Sequence, residues 1–298
     1  MSSKHFRRWS PAILAAIALT AFAAPAVAAP AYPVTSNLFA GIAQSLKDPS
    51  APPPGVNVAS CEPSAAHPRP VVLITGTFGN MTDDWAGLGP TLANAGYCVY
   101  STPIGGDPKS VLQTIGRVPD SARQISSFVD RVRSETGAAQ VDLIGHSQGG
   151  LIGEYYLKLL GGASKVHSFV GLSPTTHGTS LVGLAYLAKA FPGGEALVGA
   201  VCPACADQIV GSPVVRAVGD GPIAQSDVDY TVIETRNEFV VTPAGTAAFI
   251  NEPGVHNLWV QDTCPADLAD HAGLSYSKTV YGLVGNALDP AHAAPVHC

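Results

Sequence analysis

From residue 71 onward, short continuous apolar runs alternate with longer stretches of helical spacing. VVLITG at 71–76 is β-branched and uninterrupted, which predicts a strand buried on both faces. GLGPTLANAGY carries a short helix ending at Gly96, and YCVYSTPI at 97–104 reads as a second strand. The clearest helix follows, opened by PDS and closed by Gly137. Val118, Ala122, Ile125, Val129 and Val132 recur on one face of it. VDLIG at 141–145 is a third strand, followed by a helix over LIGEYYLKLLGG with Leu151, Tyr155 and Leu159 on one side. FVGLSP (169–174), YTVIETR (230–236) and HNLWVQD (256–262) continue the strand series, and a last helix lies around SKTVYGLVGNAL. Strands alternating with helices predict an α/β fold: a mostly parallel sheet with helices on both faces.

Three regions stand outside this rhythm. Residues 1–28 read as a signal peptide, with a basic MSSKHFRRW, an apolar AILAAIALTAFAA and a small-x-small cleavage pattern after Ala28. The apolar run is short for a membrane span and is broken by Pro25. Residues 29–68, with DPSAPPPGVN inside them, read as an extended arm. Residues 178 to about 228 form a long, mostly uncharged insert, which predicts a cap or lid. The expectation is one domain over 29–298 carrying that insert.

Composition narrows the function classes. A net charge of −6 lacks the basic footprint that nucleic acid requires. Export gives the six cysteines a meaning, because disulfides persist in oxidising compartments. Cys202 and Cys205 in CPAC are near enough to bridge locally, Cys61 is matched with Cys98, and Cys264 with Cys298 at the C-terminus. A redox or zinc reading of CPAC is weaker, since the motif does not follow a strand and no second ligand pair is evident.

The chemistry gathers around Gly145-His146-Ser147-Gln148-Gly149. A G-x-S-x-G between a strand and a helix suits a nucleophile on a strained turn, with small flanking residues where strand and helix approach. A serine needs a base, and in this architecture acid and histidine follow it in chain order, each after a later strand. His271 follows the last strand, whereas His256 opens it and His146 and His67 precede the serine. Glu238 in RNEFVVTP is the first carboxylate beyond YTVIETR; Asp262 and Asp270 are its rivals. The Gln148 backbone N–H and Thr77, in TGTFGN after the first core strand, are the expected oxyanion hole, with the Thr77 hydroxyl as a further donor.

With these segments in place, the chain resembles small secreted bacterial triacylglycerol lipases and esterases of the α/β-hydrolase fold over about residues 60–290. The likeness is carried by VVLITGTFGN, VDLIGHSQGGL, SPTTHGT, RNEFVVTP and DHAGLSYS. It implies Ser147 as nucleophile, His271 as base, Thr77 and Gln148 as oxyanion hole, and a lipid or other acyl-ester substrate met transiently at a lipid interface. Relatives usually carry Asp where this chain has Glu238. Phe78, Leu181 and Leu184 are the expected substrate-binding side chains, the last two in the apolar SLVGLAYLAKAF. No cofactor is expected. Calcium is not expected either: Asp262, Asp267 and Asp270 could offer oxygens, but no calcium-loop motif exists. The sequence sets no oligomeric state, and a monomer is the default. A cutinase-like polyester hydrolase would use the same triad, and an exported binding protein could keep the fold without the chemistry.

Overall fold

The computed structural model describes Met1 and residues 31–180, 182–183 and 202–298. The chain divides into two compact units, Met1–Ala31 and Tyr32–Cys298. Residues 2–28 of the expected signal peptide, with its expected cleavage position at Ala28, and Leu181 and Leu184 of the insert lie outside the described residues.

Tyr32–Cys298 is built on six parallel strands: β1 (Val71–Ile74), β2 (Val99–Ser101), β3 (Val141–His146), β4 (Val166–Leu172), β5 (Asp229–Glu234) and β6 (Val255–Trp259). Their order across the sheet is β2-β1-β3-β4-β5-β6. In β1 the alternation of side chains divides one apolar run between two cores. Val72 and Ile74 join the core on one face, and Val71 and Leu73 the core on the other. The nine helices among the described residues are α1 (Leu38–Ser45), α2 (Met81–Trp85), α3 (Leu88–Asn94), α4 (Val118–Thr136), α5 (Gln148–Leu159), α6 (Pro203–Asp207), α7 (Pro213–Gly219), α8 (Val260–Thr263) and α9 (Lys278–Leu288). Those of α4 and α5 contribute to the first core, those of α3 and α9 to the second.

Helix α4 follows the predicted face. Val118, Ala122, Ile125, Val129 and Val132 are fully buried, and Gly137 ends the helix in the left-handed region at φ 70°. Helix α5 does not follow it. Leu159 is exposed, and the buried arc is Leu151, Ile152 and Tyr156. The reason is steric: α5 presses its glycines against the sheet, and a Cβ on Gly153 would stand 2.6 Å from the Phe169 ring. The supposed extended arm also needs correction, because it contains α1. Asn37 caps that helix by accepting from the Ala40 amide, and Ile42 enters the core.

Cys61–Cys98, Cys202–Cys205 and Cys264–Cys298 are disulfide-bonded. Among the described residues no helix is long and apolar enough to cross a membrane.

Candidate active site

The parallel sheet delivers its strand ends to one edge, and there β3 turns sharply into α5. Ser147 occupies that turn with φ 54° and ψ −122°, a conformation that non-glycine residues rarely adopt. The turn is possible because its neighbours are glycines. A Cβ on Gly149 would lie 2.1 Å from the Ile74 carbonyl oxygen, and one on Gly145 would lie 2.5 Å from that of Gly149. The strain is held by hydrogen bonds from Ser147 N to the Leu172 carbonyl (2.9 Å) and from Thr175 N to the Ser147 carbonyl (3.2 Å).

The loops after β5 and β6 bring Glu238 and His271 together. His271 Nδ1 lies 2.7 Å from Glu238 Oε2, and Glu238 Oε1 accepts from the amides of Val240 (2.5 Å) and Val241 (2.9 Å). Burial alone would favour a protonated Glu238. The charge and hydrogen bond of His271, with the backbone amides, outweigh it and hold the carboxyl well below the usual range. Ser147 Oγ and His271 Nε2 are both buried without a hydrogen-bond partner among the described residues. Ser147, His271 and Thr77 line one small cavity of about 10 Å³. The rival acids are elsewhere: Asp262 pairs with Arg236, and Asp270 Oδ1 accepts from the Gly273 amide at 2.8 Å. Asp267 accepts from Ser277 Oγ at 2.7 Å and the Ala269 amide at 2.8 Å.

Two other expected residues take unexpected positions. The Thr77 hydroxyl does not face the cavity as a spare donor; it donates to Gln148 Oε1 at 2.6 Å and accepts from Gln208 Nε2 at 2.9 Å. With that hydroxyl engaged, the donors this edge could offer an oxyanion are the backbone amides of that loop and of the α5 N-terminus. Phe78, at φ 68°, is fully buried in the core and is absent from the residues that line the cavity.

The site also contains groups that chain order does not reveal. His146 Nδ1 lies 2.7 Å from Asp84 Oδ1, and its Nε2 lies 3.0 Å from the His271 carbonyl oxygen. Asp84 Oδ2 accepts from the Gly76 amide at 2.7 Å. Both ring nitrogens of His146 face oxygen acceptors, so the ring donates twice when Asp84 is ionised. Burial opposes that charge, but Asp84 and the carbonyl raise the His146 pKa in spite of it. The pair links the glycine loop after β1, the serine turn and the histidine loop.

Glu234, at the end of β5, is a second buried carboxyl beside Glu238. Ser173 Oγ and the Thr235 amide donate to its Oε1 at 2.6 and 2.9 Å. Burial pushes its pKa up, and the charge of Glu238 adds to the effect. The two carboxyls are thus pushed in opposite directions, Glu238 towards the charged form and Glu234 towards the protonated one. Glu234→Gln, which mimics the protonated form, is expected to keep kcat at pH 7 within about threefold. A loss beyond a hundredfold in steady-state hydrolysis would mean that Glu234 acts as an ion.

Ser147 thus stands on a strained turn between a parallel strand and a helix, near a carboxylate–histidine pair from the loops after β5 and β6. A family model for the alpha/beta hydrolase fold matches residues 69–195. Aspergillus fumigatus lipase B superposes with a TM-score of 0.62 at 21% identity, covering 77% of this chain and 54% of that one. The chain has the α/β-hydrolase fold. Bacillus licheniformis lipase BlEst2 in its mature form shares this fold, with a TM-score of 0.56 at 16% identity over 76% of this chain and 94% of that one. Within the fold, the sequence is similar to two triacylglycerol lipases, from Pseudarthrobacter phenanthrenivorans and Burkholderia plantarii. Each is 35% identical over 96 residues, or 30% of this chain. The matched segment spans about a quarter of each relative, 28% and 25% respectively.

Proposed function

We propose that the protein is an exported serine ester hydrolase of lipase type, acting on carboxylic acyl esters through an acyl-enzyme on Ser147. The observation that carries this reading is the His271–Glu238 contact of 2.7 Å beside a cavity that His271 shares with Ser147. In the first step His271 Nε2 takes the Ser147 proton as Oγ attacks the ester carbonyl. Glu238 stabilises the imidazolium and keeps Nδ1 protonated. Backbone amides of Thr77 and Gln148 receive the oxyanion, and the alcohol leaves with the proton from His271. Water, activated by the same histidine, then releases the acid and restores Ser147. The resemblance to triacylglycerol lipases over 96 residues supports an aliphatic acyl group. The three disulfides support export to an oxidising compartment.

A fluorophosphonate probe tests the reading, since only an activated serine reacts at useful rates. Intact-mass analysis should show one adduct, and peptide mapping should place it on Ser147. Hydrolysis of p-nitrophenyl esters from acetyl to palmitoyl should accompany it. An unlabelled, inactive protein that is folded would overturn the assignment.

A further inference from the structure

Beside the catalytic cavity lies a much larger groove of about 1000 Å³. Leu38 and Phe39 at the start of α1 line it, with Leu268, Ala269 and Ala272 from the segment that carries His271. Leu38 and Ala272 line both the groove and the cavity of Ser147 and His271, so the two adjoin. Phe39 is 78% exposed and Leu268 84%. Two large apolar side chains left in water along one groove mark a surface suited to an aliphatic ligand.

The chemistry decides which half of an ester belongs there. When the tetrahedral intermediate collapses, the bond between the acyl carbon and the alcohol oxygen breaks. The acyl carbon stays on Ser147 Oγ, and the departing oxygen takes the proton that His271 Nε2 removed from Ser147. The alcohol half therefore leaves on the histidine side, and the histidine segment forms a wall of the groove.

We infer that this groove binds the aliphatic chain of the alcohol half of the substrate, making Phe39 and Leu268 specificity-determining residues for esters of long-chain alcohols. The inference rests on the serine ester hydrolase reading. Hexadecyl butyrate and butyl hexadecanoate provide the test, because they are isomers of equal apolar bulk that differ in which half is long. The wild-type protein should cleave hexadecyl butyrate with the higher kcat/KM. The variant Phe39→Ser/Leu268→Ser should lose about tenfold on hexadecyl butyrate, the scale of one large apolar side chain removed from contact. Its ethyl butyrate hydrolysis and its fluorophosphonate labelling should be unchanged. Both positions are exposed, so the fold should tolerate the changes. A variant that loses equally on all esters, loses on butyl hexadecanoate instead, or loses nothing would overturn the groove assignment while leaving the ester hydrolase reading intact. A wild-type protein that cleaves none of these esters and takes no probe would overturn both.

Discussion

Ser147→Ala is expected to lower kcat by about 10⁶, the scale on which removal of an activated serine acts in enzymes of this chemistry. Stability should move the other way or stay level. The Ser147 hydroxyl is buried without a hydrogen-bond partner among the described residues, and removing such a group relieves an unmet desolvation cost. Alanine meets the same backbone strain at φ 54° as serine does, so the turn itself should survive. Steady-state hydrolysis and thermal unfolding on the same sample separate the two effects. Retained activity would move the nucleophile elsewhere. A collapse of Tm together with activity would indicate that the serine only supports the turn.

Glu238→Gln is the second large effect, with an expected fall in kcat of about 10⁴ by analogy with amide replacement of a triad acid. The hydrogen bonds explain why so small a change should cost so much. Oε1 accepts from two backbone amides, so the glutamine carbonyl oxygen would occupy that place and leave its NH₂ facing His271 Nδ1. A donor there forces Nδ1 to accept, which moves the ring proton to Nε2. That tautomer cannot take a proton from Ser147. Glu238→Asp keeps the charge and shortens only the reach, so its loss should be much smaller. If the folded Gln variant keeps near wild-type kcat, the acid is another residue, and Asp270 on the histidine loop is the first to replace.

The core of this molecule was readable because it is periodic, and the serine turn because it is cramped. Val118 to Val132 repeat at helical spacing, and the whole face is buried. Gly145 and Gly149 betray a turn too tight for side chains. The Glu238–His271 contact could be anticipated from chain order, since each residue follows the end of its own strand. What chain order cannot show is contact between residues far apart in sequence. Asp84 meets His146 across 62 positions, and His146 meets the His271 carbonyl across 125. Neither residue carries a local pattern that announces the meeting. The α5 face was missed because glycines, not its leucines, set which side approaches the sheet. Helix α1 was hidden by the proline-rich stretch after it, although Asn37 ahead of Leu38 and Ile42 was a usable cap signal.

The contact of His146 with a main-chain oxygen has a consequence for anyone wishing to rebuild this protein. Because Asp84 holds both Gly76 and His146, and His146 holds the His271 peptide, three loops share one fastening. A foreign histidine loop grafted onto this scaffold would have to return a carbonyl oxygen to the same point in space, whatever side chains it brought. Directed evolution that mutates the loops one at a time would therefore meet a ridge between good solutions. Libraries that vary the Asp84 and His146 positions together with residues around 271 would be able to cross it.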